Sequence, residues 1–196
     1  NQMRFTDDYQ RVYLVAPLKI YFLDISNKTS LIETQTYYDP IMRKESMFKQ
    51  LEILSNGKTG ILLLDNADVV GYSRVIFFNF SSSSPLIESF SAFDQGSHLL
   101  ETQLILKDDD TLLIIHQNFT IYNISKPESP AEISSLSFDK FYVNSVVLSP
   151  EKSTLYVEVY DQNQFYKLQI YNISSLANPY LINEQVLSKR LSNIYK

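Results

Sequence analysis

Leu168-Gln169-Ile170-Tyr171-Asn172-Ile173-Ser174, followed five residues later by Pro179, is the stretch on which the reading of this chain turns. Its core phrase is written four times: Phe22-Leu23-Asp24-Ile25-Ser26, Phe77-Phe78-Asn79-Phe80-Ser81, Ile121-Tyr122-Asn123-Ile124-Ser125 and Ile170-Tyr171-Asn172-Ile173-Ser174. After each serine comes a short turn and then an extended segment: Leu31-Ile32-Glu33, Pro85-Leu86-Ile87-Glu88, Pro130-Ala131-Glu132-Ile133 and Pro179-Tyr180-Leu181-Ile182. The four serines lie 55, 44 and 49 residues apart. Strand-like text repeating at that period predicts the blades of a propeller.

The fourth unit writes the blade most openly. Asn144 to Leu148 reads as a first strand, Ser149-Pro150-Glu151-Lys152-Ser153 as a turn, and Thr154 to Tyr160 as a second strand alternating around Leu155, Val157 and Val159. A polar loop, Asp161 to Gln164, leads into a third strand from Tyr166 to Ile173, and Pro179 opens a fourth. Ser55-Asn56-Gly57-Lys58 and Lys107-Asp108-Asp109-Asp110 supply turn residues at matching places earlier on. No stretch reads as a helix. Asp39 to Leu54 comes nearest, but Pro40 and its mixed charges make it a long crossover into a strand.

The expected fold is therefore an all-β β-propeller of four four-stranded antiparallel blades, each about 49 residues long. Blades fall at 1–38, 39–93, 94–138 and 139–188, with 189–196 beginning another, so the single segment 1–196 is expected to sit in a larger propeller of about six to eight blades. A closed ring of four is the alternative. Composition narrows the rest. At 44% hydrophobic and 20% charged, the 196 residues are globular. A net charge of -5 without a basic run argues against nucleic acid. The absence of cysteine removes disulfides, thiolate chemistry and Cys-based metal sites. No apolar run is long enough to span a bilayer.

The phrase I-Y-N-I-S followed by proline and a strand resembles the LVIVD-repeat family of β-propellers, most closely at Leu168 to Ser174 with Pro179 and at Ile121 to Ser125 with Pro127 and Pro130. Leu148-Ser149-Pro150-Glu151 through Leu155-Tyr156-Val157 is similar to a hairpin shared by several propeller families. The family's Asp survives only at Asp24, with Asn at the other three places, and Ser30 replaces the first proline. The resemblance implies a repeat protein often found on cell surfaces or secreted, and carries no catalytic residues over.

Candidate sites are few. Asp39, Asp94 and Asp139 recur 13 or 14 residues past their motif serines, where one blade crosses to the next. They could ring one mouth of a central channel and hold a cation such as calcium, or each could bond its own turn. Asp108-Asp109-Asp110 lacks the spaced ligands of a calcium loop and reads as a hairpin turn. His98 lies near Asp94, and His116 ends an apolar strand, but neither has a nucleophile beside it in sequence. The abundant Tyr and Phe, as at Phe78, Tyr122 and Tyr171, read as core. Five N-x-S/T sequons mark Asn27, Asn79, Asn118, Asn123 and Asn172 as candidates for N-linked glycans, with Asn27 and Asn118 expected in exposed turns.

The leading expectation is a non-enzymatic extracellular or cell-surface module, making protein–protein or assembly contacts through the loops Asp65 to Ser73, Asp94 to His98 and Asp161 to Phe165. Two alternatives stand beside it. One is a propeller hydrolase or lactonase with a metal at Asp39, Asp94 and Asp139; the other is an intracellular WD-like scaffold.

Overall fold

The computed structural model describes residues 2–5, 10–16, 19–27, 32–37, 46–66, 72–79, 86–94, 102–116, 118–138, 142–161, 163 and 165–188. Among the described residues, sixteen strands make four antiparallel sheets, each a simple up-and-down meander in chain order. Sheet one holds β1 (Gln2–Phe5), β2 (Arg11–Ala16), β3 (Lys19–Asp24) and β4 (Ile32–Tyr37). Sheet two holds β5 (Ser46–Ile53), β6 (Thr59–Asn66), β7 (Tyr72–Asn79) and β8 (Leu86–Asp94). β9 (Gln103–Asp108), β10 (Thr111–Ile115), β11 (Asn118–Asn123) and β12 (Ala131–Ser137) form sheet three. β13 (Tyr142–Leu148), β14 (Thr154–Tyr160), β15 (Tyr166–Asn172) and β16 (Tyr180–Leu187) form sheet four. Among the described residues there is no helix, and so none long and apolar enough to cross a membrane. The chain divides into two compact units: Asn1–His98 with Pro127–Ser129, and Leu99–Lys126 with Pro130–Lys196.

The repeated phrase ends the third strand of each sheet, and its chemistry explains its spelling. In three copies the Asx side chain closes a turn on the serine two residues on. Ser26 donates its backbone N–H to Asp24 Oδ1 at 2.8 Å. Ser125 and Ser174 donate both N–H and hydroxyl to Asn123 and Asn172, at 2.9 and 2.7 Å and at 2.9 and 2.6 Å. Such Asx turns let Asp or Asn end a strand while satisfying the backbone. The residue between them donates back to the preceding hairpin: Ile25 to Gln10 O, Ile124 to Asp110 O and Ile173 to Ser153 O, each at 2.8 Å. The side chains of Ile124 and Ile173 are fully buried.

A second feature recurs. The register between third and fourth strands slips by one residue at the same place in every sheet, between Phe22 and Leu23, Phe77 and Phe78, Ile121 and Tyr122, and Ile170 and Tyr171. Each slip leaves one extra residue on the outer strand: Thr34, Ile87, Ile133 or Ile182. Bulges of this kind twist an edge strand and spoil it as a template for further pairing.

Each unit has its own core, built where one sheet lies on the next. In the first unit Tyr13, Ile20 and Phe22 of sheet one meet Leu51, Leu62, Leu64, Ile76 and Phe78 of sheet two. Tyr13 sets its ring edge-on to Phe22 at 5.5 Å and donates its hydroxyl to Gly57 O at 3.2 Å. In the second unit Leu113, Ile115, Phe119 and Ile121 of sheet three meet Val143, Val146, Leu155, Val157, Val159 and Tyr171 of sheet four. Phe119, Phe138 and Tyr171 pack mutually, with ring centroids 5.3 to 5.9 Å apart. Burial of each aliphatic side chain contributes about 1.5–3 kcal/mol, and this sets the stacking.

Two hairpin turns occupy equivalent places with different residues. Gly57 and Lys152 both take the left-handed conformation, at φ 61° and 58°, and both donate N–H to a carbonyl three residues back, Leu54 and Ser149. A side chain at that φ costs roughly 1–2 kcal/mol, which glycine avoids. Gly57→Ala is expected to lower stability by about 1 kcal/mol, and Lys152→Gly to leave it unchanged or raise it by up to about 1 kcal/mol, in equilibrium urea unfolding.

Candidate functional site

The first strands of the sheets carry the polar groups that the core excludes. On β5, Gln50, Leu51 and Glu52 alternate; Leu51 enters the core while Gln50 and Glu52 share the opposite face. Arg4 reaches them from β1. Its Nη2 lies 3.1 Å from Glu52 Oε1, and its Nε donates to Leu51 O at 3.0 Å. Gln50 Nε2 donates to the same Glu52 oxygen at 2.7 Å. Arg4 and Glu52 keep 38% and 22% of their side chains exposed, so these two members of the cluster reach solvent. A carboxylate oxygen can accept a proton from water, and guanidinium N–H groups suit an anionic or developing oxyanion oxygen.

Sheet four holds a second carboxylate of a different kind. Glu158, on β14, is fully buried; Asn144 Nδ2 and, at 3.2 Å, Ser145 Oγ donate to its Oε2. Asn144 is the extra residue of a bulge on β13 between Val143 and Ser145, which brings its amide onto the carboxylate. A buried polar group needs such hydrogen-bond partners. On the other face, Glu184 accepts from Lys167 and from Gln169, both at 2.7 Å, and Gln169 accepts from the Tyr171 hydroxyl at 2.9 Å. The bonds from Lys167 and Gln169 hold Glu184 below its ordinary carboxylate value. Bonds to Ser26 do the same for Asp24.

The sites expected from sequence fall variously. Asp39 and Asp139 lie outside the described residues; Asp94 ends β8, and its side chain is not among those described. Among the described residues no group of three or more His, Cys, Asp or Glu could hold a metal. Asp108 to Asp110 form the expected hairpin turn, with Asp110 N–H on Asp108 Oδ1 at 3.0 Å. His98 lies outside the described residues, and His116 is buried at the end of β10 with its N–H on Asn118 O. Asn27 and Asn123 are exposed, Asn79 and Asn172 half-buried. Asn118 departs from expectation. It opens β11 rather than a turn, half-buried, its amide donating to Ser135 Oγ at 3.1 Å and Thr120 of its sequon buried. Of the aromatics, Phe78 and Tyr171 are core; Tyr122 is half-buried, and burial, then Glu132, push its phenol upward.

No family model matches the chain, and no curated protein does. Solved structures do. The chain is similar to a provisionally assigned 6-phosphogluconolactonase from Bacteroides fragilis, at 15% identity over 96% of this chain and 58% of that one, with a TM-score of 0.63. It is similar to a periplasmic gluconolactonase from Pseudomonas aeruginosa, at 12% identity over 93% and 52%, TM-score 0.55. A hypothetical selenium-binding protein from Sulfolobus tokodaii matches at 11% identity over 94% and 54%, TM-score 0.66. Likeness at these identities shows the fold, so the four sheets are blades of a β-propeller. The chain spans a little over half the length of each of these structures. The expectation of a non-enzymatic module is corrected here: two of the three are named for lactone chemistry on this scaffold. The absence of a nucleophile–base motif in the sequence was no ground for excluding an enzyme.

Asn144→Ala, which takes a donor from the buried Glu158 carboxylate, is expected to cost about 1–3 kcal/mol in urea unfolding at neutral pH, with most of the loss recovered in Asn144→Ala/Glu158→Leu. Glu184 titrates below its ordinary 4.5, so its stabilising share is present above that pH and fades as pH falls past it. Glu184→Gln should therefore flatten the acid side of the stability–pH curve and leave the slope above pH 7 unchanged.

Proposed function

We propose that the chain forms part of a propeller hydrolase that opens sugar lactones, with Arg4, Gln50 and Glu52 in its site. The observation that carries the reading is the Arg4–Glu52–Gln50 cluster on the first strands of two adjacent blades. The lactonase names among the fold's relatives support it. In this reading Glu52 takes a proton from a water as its oxygen attacks the lactone carbonyl. Arg4 steadies the negative charge that forms on the carbonyl oxygen; as the carbonyl re-forms the ring C–O bond breaks, and the leaving oxygen takes the proton that Glu52 removed from the water. A phosphate or hydroxyl elsewhere on the sugar would add a contact for the guanidinium. Calcium at Asp39, Asp94 and Asp139 is a further part of the reading, and loss of activity on chelation with recovery on added calcium would support it.

The test is hydrolysis of gluconolactone and of its 6-phosphate by the complete natural polypeptide. Glu52→Gln and Arg4→Met are expected to lower kcat/KM about 10²–10⁴-fold with the fold retained by circular dichroism. Hydrolysis no faster than in buffer, or a Glu52→Gln variant as active as its parent, would defeat the reading. We further propose that a chain passed through a secretory pathway carries glycan at Asn27 and Asn123 and little at Asn118, by glycopeptide mass spectrometry.

A further inference from the structure

Asn56-Gly57 is the one place in the chain where glycine follows asparagine. The pairing matters chemically, because a glycine amide has no side chain to shield its nitrogen from the neighbouring carboxamide. Asn56 lies in the turn between β5 and β6 and is exposed, so water and hydroxide reach it. The matching turn of blade four, closed by the same backbone bonds, carries Glu151-Lys152 at these two places.

The structure holds the pair in two opposed ways. On the electrophile, Asn56 Oδ1 accepts the backbone N–H of Lys58 at 2.8 Å and of Thr59 at 2.9 Å. Two backbone donors on one carbonyl oxygen draw electron density from Cγ and suit the oxyanion that an attack there would form. On the nucleophile the hold is a restraint. Gly57 donates its N–H to Leu54 O at 2.9 Å, so its proton is engaged while the turn is closed. Asn56 Nδ2 donates to Thr59 Oγ1 at 3.3 Å, which keeps the carboxamide turned toward the start of β6. Tyr13 of blade one completes the restraint by donating its hydroxyl to Gly57 O at 3.2 Å.

We infer that Asn56 is a covalent modification site, primed by the Lys58 and Thr59 amides and latched by the Leu54 and Tyr13 bonds, which converts to isoaspartate and aspartate when the turn opens. The Gly57 nitrogen then gives its proton to hydroxide and bonds to Asn56 Cγ. The Cγ–Nδ2 bond breaks, ammonia departs after taking a proton from water, and a cyclic succinimide remains. Water opens the ring at either carbonyl. Opening at Cγ leaves an aspartate; opening at the backbone carbonyl leaves an isoaspartate, whose main chain runs through Cβ and Cγ. The isoaspartate adds a carbon to the main chain within the turn that Tyr13 clasps, so the change loosens blade one from blade two.

The test follows the complete natural polypeptide in mildly alkaline buffer, folded and in denaturing guanidinium chloride, by peptide mapping with mass spectrometry. Asn56 is expected to convert about 30-fold or more slowly in the folded chain than in the unfolded one, because conversion waits on local opening. Tyr13→Phe keeps the ring and removes the hydroxyl. With its fold retained by circular dichroism, it is expected to speed folded-state conversion about 2- to 10-fold, the effect of one lost hydrogen bond. Asn123 and Asn172, each followed by isoleucine, should stay unconverted over the same period. Three results would overturn the inference: no conversion at Asn56 in the unfolded chain, a folded Tyr13→Phe rate equal to its parent's, or folded and unfolded rates within about threefold of each other.

Discussion

A four-stranded sheet that is apolar on both faces cannot stand in water by itself, and this constraint governs the whole chain. One face can be hidden by the preceding sheet and the other by the following one, provided that equivalent positions carry complementary side chains. Both cores obey that rule. Tyr13, Ile20 and Phe22 of one sheet, and Leu113, Ile115, Phe119 and Ile121 of another, occupy the same places and meet the same opposite face of the next sheet. The repeat is therefore a repeat of interfaces as much as of strands.

The remaining devices serve that stacking. The Asx turn at Asp24, Asn123 and Asn172 ends the third strand, and the residue after it adds one more bond to the hairpin behind. The shared bulge on the outer strand stops the edge from pairing onward. β16 shows why this matters: Tyr180, Leu181, Ile182 and Val186 are all exposed there. Bulges on first strands have another effect. Where Asn144 is squeezed out of register it meets Glu158, so the irregularity places polar chemistry inside an apolar scaffold.

Much of this was legible in the sequence because turn chemistry and period-two alternation are local. The four phrases, the turns at Gly57, Asp109 and Lys152, and all four strands of the last blade follow from residue type and spacing. The polar sites were less legible. Gln50-Leu51-Glu52 alternates as a strand should, but it lies in a stretch read mainly as a crossover, and Arg4 comes from 46 residues earlier. Glu158 was hidden by the Leu155, Val157 and Val159 pattern it interrupts from the other face. Asn118 was misplaced because its neighbours His116 and Gln117 look like a loop; the buried Phe119 and Thr120 pull it into β11. The bulges leave no local signature, since they are set by pairing between strands.

The most direct test of face-to-face stacking is a double-mutant cycle on Phe119 of blade three and Tyr171 of blade four, whose rings meet edge-on at 5.3 Å. Replacing each by Leu, singly and together, should give a coupling of about 0.5–1.5 kcal/mol in equilibrium unfolding. Strict additivity, within about 0.3 kcal/mol, would mean that the two faces do not touch, and the account of the repeat as a series of interfaces would be wrong.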